Sequence, residues 1–267
     1  MTTIDSAFSR NIGWFTPEEQ ALLAHKCVAI AGMGGVGGNH LLTLTRLGVG
    51  NFNIADFDKF DIVNFNRQVG ATISTLEQDK VAVMADMALD INPNLEGICF
   101  SEGVTEDNID EFLKNVDVFI DGLDFFAFNA RAMTFKACAE KGIPAITAAP
   151  LGMGASFMTF MPGEMTFEDY FKWNGCSDQE KAMRFLKGMA PTGLQSVYLT
   201  DPSTISFEEK RGPSTFIGCQ LAAALASTEA IKVLLGRGVV RPAPVCTHFD
   251  AYLSVLSQDV IELKDFV

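Results

Sequence analysis

The sequence has no C-x-x-C pair. Its six cysteines, at 27, 99, 138, 176, 219 and 246, stand apart, most of them inside apolar strand or helix patterns. Scattered thiols of that kind read as buried free cysteines in a reducing compartment. Histidine is scarce: His25, His40 and His248 are the three, and none sits in a triad-like setting. Positive charge is also short, with 20 Lys and Arg against 33 Asp and Glu and a net charge of −13. A broad nucleic-acid surface needs a basic stripe, so that class is disfavoured, although a small basic pocket is not. The longest apolar stretch, 216–235, is interrupted by Gln220, Ser227, Thr228, Glu229 and Lys232, which makes it a core helix and not a membrane span. The N-terminal MTTIDSAFSRN has no apolar segment of the signal-peptide kind, and a soluble cytoplasmic protein is the expectation.

What is present is a globular composition, 48% hydrophobic and 20% charged over 267 residues, enough for one large α/β domain or two small ones. The chain turns on KCVAIAGMGGVG, from Lys26 to Gly37. An apolar run breaks into Gly32, Gly34, Gly35 and Gly37, and a helical pattern follows from Asn39 to Leu47. Strand, glycine turn and helix in that order let backbone approach a phosphate and offer it the unpaired N–H groups of a helix start. Upstream, Thr16-Pro17-Glu18-Glu19 is a helix start with a capping box. Further strands are expected at 51–56, 97–101, 116–122 and 144–149, and helices at 76–91, 105–113 and 126–141. That alternation implies an α/β fold whose sheet is parallel, with helices on both faces. The rhythm then changes. A strand at 156–161 is expected to pair antiparallel, and a polar and aromatic excursion at 163–213 shows no clear period beyond one helix at 179–186. Such a stretch is usually a lid, a partner surface or disordered. A helix at 214–235 and strands at 245–249 and 252–263 close the chain. One domain is expected over 1–267, with a nucleotide-binding part at 1–162, the excursion at 163–213 and a C-terminal part at 214–267.

The candidate chemistry lies at one edge of this sheet, since the right-handed crossover rule gathers the strand ends there. Asp56 ends the second strand about twenty residues after the glycines, where an acid binds ribose hydroxyls, and Asp58 is its rival. Asn64, Arg67 and Gln68 stand in NFNRQ, Lys80 opens the next helix, and Asp124 lies just past the fourth strand. A nicotinamide dinucleotide does not need this set. A triphosphate attacked at its α-phosphorus does: it wants cations on the β- and γ-phosphates and a carboxylate for Mg²⁺. Arg67 and Lys80 suit the first task and Asp124 the second. Taken singly, each reads more readily as a surface charge or a helix-end residue; together at one sheet edge they point to the triphosphate.

Arg10 in FSRN, GMGGVG at 32–37, ADFD at 55–58, NFNRQ at 64–68, Lys80, and Asp124 in GLDFF together resemble the ubiquitin-activating-enzyme-like superfamily, in particular its ThiF/MoeB-type adenylyltransferases. The resemblance resumes at 212–238 and so covers most of the chain. It implies a Rossmann-like, mostly parallel sheet extended by antiparallel strands in the C-terminal part. It also implies ATP and Mg²⁺ as cofactors, with Asp56 on the ribose, Arg67 and Lys80 on phosphates, Asn64 assisting and Asp124 on magnesium. By the same resemblance Arg10 reaches the active site of the other subunit of a homodimer. The implied reaction is attack of a carboxylate on ATP, giving an acyl-adenylate and pyrophosphate. Its carboxylate belongs to the C-terminus of a ubiquitin-like or sulfur-carrier protein or of a peptide, and needs no general base because it is already ionised. Alternatives within the superfamily are a small molecule or a tRNA base, as in threonylcarbamoyladenosine dehydratases. Outside that chemistry stand a non-catalytic nucleotide-binding partner subunit and, more weakly, a nicotinamide oxidoreductase.

Three departures stand out. Relatives with a structural zinc carry two C-x-x-C pairs, and their absence here predicts no zinc. Phe125 stands where the family has an asparagine after the magnesium aspartate. Some relatives carry a thioester-forming cysteine in the crossover, and Cys176 in KWNGCSD is the candidate here, against a bystander thiol. The run MTFEDYFKW (165–173) reads either as local packing on the sheet or as a cover for a peptide tail.

Overall fold

Thr16 caps the first helix as its sequence requires: its side chain accepts from the Glu19 N–H while Glu19 accepts from the Thr16 N–H. This helix, α1 (Pro17–Leu23), leads into β1 (Cys27–Ala31) and then α2 (Gly37–Arg46). The computed structural model describes residues 4–260. After β2 (Asn51–Ala55), two short 3-10 turns at Ile62–Asn64 and Ile73–Thr75 precede α3 (Lys80–Ile91). The sequence suggested that α3 starts four residues earlier. Instead, Lys59 bridges to Asp79, and Phe60 exchanges backbone hydrogen bonds with residues 77 and 78, which holds that stretch in a turn with Glu77 left-handed. There follow β3 (Glu96–Phe100), the single turn α4 (Ile109–Phe112), β4 (Val118–Asp121), α5 (Phe128–Lys141), β5 (Ala145–Leu151) and β6 (Gly154–Phe160).

The described residues form one eight-stranded sheet in the order β3-β2-β1-β4-β5-β6, continued by β7 (Val245–Asp250) and β8 (Val255–Val260). Strands β1 to β5 run parallel, and β6, β7 and β8 each pair antiparallel with their predecessor. The sequence-based end of the last strand, residues 261–263, lies outside the described residues. On one face pack α2, α3 and α8 (Phe216–Leu235), around Val28, Ile30, Ile54 and Ile120. Thr215 caps α8, which starts two residues later than the sequence suggested. Although α8 is long and apolar enough to cross a membrane by length and composition, it packs here against β5, β6 and α2.

The other face carries α4, α5 and the excursion. The excursion is structured: α6 (Phe167–Phe171) and α7 (Asp178–Met189) each begin with a capping box, at Thr166 and Ser177. Phe167, Tyr170, Phe171, Trp173 and Phe185 are all buried: Phe167 packs on Phe135 and Phe160, Tyr170 and Phe171 on Phe160, and Trp173 and Phe185 on Phe171, ring against ring. The aromatic run is therefore local packing. Its periodicity was hard to see because two short helices and a left-handed Lys172 interrupt it. All six cysteines are free, but only Cys138, Cys219 and Cys246 are buried; Cys99 is exposed on the edge strand β3.

Candidate functional site

At the carboxyl ends of β1 and β4 the backbones touch. Gly32, at φ +88°, donates its N–H to the Ala55 carbonyl, and a Cβ there would overlap Gly122. A Cβ on Gly37 would overlap the Gly32 carbonyl oxygen, so these two glycines are required by packing alone. Gly34 and Gly35 differ. A Cβ on Gly34 would stand 3.6 Å from the Gln68 amide nitrogen, and one on Gly35 would stand 2.9 Å from Cys219 Sγ. Behind them α2 begins at Val36 without a side-chain cap, leaving its first N–H groups to whatever lies in the turn.

Asp56 is fastened to this turn. Its Oδ2 accepts the Met33 N–H at 2.6 Å and its Oδ1 accepts the Asp58 N–H at 2.8 Å. Burial raises its pKa from the ordinary aspartate value, with Asp58 adding to the rise, against the two N–H donors and Lys80, which lower it. Asp58 takes a side-chain partner of its own: its Oδ2 accepts from Lys80 Nζ at 3.0 Å, with the lysine 7% and the aspartate 53% exposed. The two rival acids thus have separate partners.

The NFNRQ segment folds as a tight turn over the glycines. Asn64 is buried, and its Oδ1 accepts the Asp61 N–H. Arg67 Nη1 donates to the Val63 carbonyl at 2.9 Å and to Asn66 Oδ1 at 3.0 Å, which curls the half-buried guanidinium over its own turn. Gln68 is buried beside Gly34, and its Oε1 has no hydrogen-bond partner. Asn66 Nδ2 donates to the Ser214 carbonyl, tying the turn to the start of α8. Cys219, one turn into α8, lies against Gly35, and burial raises its thiol pKa.

Asp124 is exposed, three residues past the end of β4, and its Oδ1 accepts the Phe126 N–H at 2.9 Å. Its loop is held from beneath by a pair that sequence reasoning passed over. Arg131 on α5 donates from Nε to Asp121 Oδ2 at 2.7 Å, from Nη1 to the Phe125 carbonyl, and from Nη2 to the carbonyls of Leu123 and Asp124. Thr147 Oγ1 also donates to Asp121 Oδ2, and the guanidinium lies 4.6 Å from the centre of the Phe185 ring. The available signal was an acid closing the apolar VFID strand with an arginine ten residues on. The sequence also gave no sign of Gly122, whose missing side chain lets the two strand ends meet.

Two candidates lie apart. Arg10 is exposed on the 3-10 arm Ile4–Asn11. Cys176 is half-buried on the α6–α7 loop, its thiol donating to the Lys172 carbonyl at 3.3 Å and its N–H to the Trp173 carbonyl; these bonds do not reach the glycine turn. The described residues hold no group of three or more His, Cys, Asp or Glu that could bind a metal ion.

The model of the ThiF family matches residues 8–262. The chain belongs to the ThiF family. ThiF-type relatives include the tRNA threonylcarbamoyladenosine dehydratase of Bacillus subtilis, 37% identical over 153 residues, 57% of this chain and 58% of that protein. The sulfur carrier protein ThiS adenylyltransferase of Escherichia coli is 29% identical over 143 residues, 54% of this chain and 56% of that protein. The chain thus matches just over half the length of these ThiF relatives. Among solved structures, the crystal structure of E. coli MccB with ATP superposes with a TM-score of 0.68 at 18% identity, covering 95% of this chain and 70% of that one. That last likeness concerns the fold. It agrees with the Rossmann-like, mostly parallel sheet seen here.

Proposed function

We propose that this ThiF-family chain activates a carboxylate with ATP, as an acyl-adenylate. The observation that carries this reading is the convergence at one sheet edge of the uncapped glycine turn, Asp56 bonded to Met33, and the Arg67–Gln68 turn lying on Gly34 and Gly35. The residues fit ATP. Beyond Gly32 and Gly37, which packing already requires, Gly34 and Gly35 keep side chains out of the cradle, and the buried Gln68, whose amide nitrogen lies nearest Gly34 and whose Oε1 is unpartnered, stands beside it. Asp56 would accept from the ribose hydroxyls, Arg67 and Lys80 would hold the outer phosphates with Asn64 assisting, and Asp124 would hold Mg²⁺. Bound there, the metal would draw off charge from the phosphates. A carboxylate oxygen of the substrate forms the bond to the α-phosphorus as the bond to the bridging oxygen breaks, and pyrophosphate leaves with that electron pair. Arg67 must unfold from Val63 and Asn66 to reach the phosphates, and Lys80 must share its charge with Asp58.

The acylating substrate in this reading is the C-terminus of a ubiquitin-like or sulfur-carrier protein or of a peptide. A homodimer with Arg10 acting across it completes the proposal; Trp14, 82% exposed next to the arm, is suited to such an interface. The free cysteines suit a cytoplasmic setting. A tRNA base is the second reading, favoured by the 37% identity to the Bacillus dehydratase and opposed by the net charge of −13.

Calorimetry with ATP–Mg²⁺ and with NAD tests the proposal. ATP should bind and NAD should not, and Arg67→Ala and Asp124→Ala should each weaken ATP–Mg²⁺ by about tenfold or more. Preference for NAD, or undiminished binding in both variants, would overturn it. Filter binding of bulk tRNA at low salt decides the second reading: tight binding would put the tRNA base first.

A further inference from the structure

Just beyond Asp124 lies a cavity of about 390 Å³ that none of the roles above uses. Its walls are Phe126 from the loop after β4, Phe128 at the start of α5, Ala182 from α7, and Phe207 from a small hairpin in which Ser206 and Arg211 exchange backbone hydrogen bonds at 2.9 Å. We propose that this cavity binds an aromatic side chain of the acylating substrate, close behind the carboxyl group to be activated. The proposal deepens the adenylation reading and rests on it.

Three observations support that occupant. One wall is chained to the proposed magnesium carboxylate, since Phe126 donates its N–H to Asp124 Oδ1. A substrate whose carboxylate lies near Asp124 therefore brings its neighbouring side chains to this opening. Charge at the rim is largely offset: of its two acids, Asp178 pairs with Lys181, which lies outside the lining, at 3.4 Å, and Glu208 shares the rim with Lys210. Neither an isolated cation nor an isolated anion gains much there, so the occupant is neutral. Finally, the rings already stand edge to face. Phe126 meets Phe128 at 6.1 Å and 71° and meets Phe207 at 6.2 Å and 85°. A further ring extends that arrangement with gains an aliphatic side chain does not make.

The test uses the full chain and three small probes, N-acetylphenylalanine amide, N-acetylleucine amide and N-acetyllysine amide, titrated by NMR chemical shift. The phenylalanine probe should bind about fivefold or more tightly than the other two. Gln179→Trp, which plugs the exposed rim, and Phe207→Ala, which removes a wall, should each lower its affinity by a similar factor; if one variant fails to fold, the other and the wild-type selectivity still decide. Equal binding of the three probes, a preference for lysine, or undiminished binding in the folded variants would overturn the proposal. An ATP–Mg²⁺ titration of the wild type separates the two layers. Binding of ATP without ring selectivity removes the pocket and leaves the adenylation reading, whereas ring selectivity without ATP binding removes that reading and with it the assignment of the pocket to an acylating substrate.

Discussion

Arg131 Nε and Asp121 Oδ2 meet at 2.7 Å with both side chains 2% exposed, and the remaining guanidinium nitrogens bond the three carbonyls of the loop that carries Asp124. The pair ends β4 and fixes the shape of the loop that carries the exposed Asp124 in a single cluster. Removing one member of a buried pair strands the other's charge. Arg131→Met should therefore cost about 3–5 kcal/mol in urea unfolding. Asp121→Asn, which keeps the shape and an acceptor, should cost less.

The glycines of the turn separate into two kinds, and a pair of alanine variants exposes the difference. Gly37→Ala drives a methyl group into the Gly32 carbonyl and should destabilise by about 1–3 kcal/mol or more. Gly34→Ala meets only Gln68 at ordinary contact distance and should melt close to the wild type. If the turn cradles phosphates, Gly34→Ala should nevertheless weaken ATP–Mg²⁺ in calorimetry.

His40 is fully buried on α2, and burial pulls its pKa down from 6.5 to about 4 against the neighbouring Asp121, which raises it. In the unfolded chain it takes a proton near pH 6.5, whereas in the native state it does so only near 4. Between those values the unfolded state binds more protons, so stability falls as pH falls through the window, by a few kcal/mol at its lower end (about 1.4 per unit). Urea midpoints measured from pH 7 to 4 should show that slope. His40→Leu should flatten it, with a remainder from His248, whose pKa burial also lowers.

Tyr198 ties the excursion to the sheet. Its hydroxyl donates to the fully buried Asp250 Oδ2 at 2.7 Å and accepts the Met153 N–H at 2.9 Å. Burial, then the Asp250 contact, pushes its pKa up to about 12. Tyr198→Phe leaves a buried carboxylate oxygen without its donor and should cost about 1–3 kcal/mol. Amide hydrogen exchange should rise most in residues 194–205.

Much of this fold is legible in the chain because its signals are local. The Thr16 capping box, the strand–glycine–helix turn and the switch to antiparallel pairing after Pro150 each depend on a few adjacent residues, and each stands as expected in the structure. The late start of α3 departs from that pattern because backbone bonds from Phe60 hold residues 77 and 78, whereas α4 keeps a single turn after the turn residues 106–108. At the site, the strand order brings Asp56 to the edge of the glycine turn, whereas the brace of Arg131 on Asp121 depends on α5 lying across the end of β4. Nothing in either residue's neighbours announces that. The excursion defeats periodicity for a similar reason, since its aromatics are sorted by one sheet face and not by one helix.

The reversal at β6 has a further cost in chain length. Because β6 runs back, it delivers the chain at Phe160 to the rim of the sheet opposite the glycine turn, yet Thr215 must bond the Gly152 carbonyl on the near rim before α8 can begin. Everything from 161 to 214 is thus a return journey, and the aromatic layer is what that journey lays over the sheet on its way. A shortened relative could not simply lose the detour. It would have to find another route home and another roof for Phe135 and Phe160.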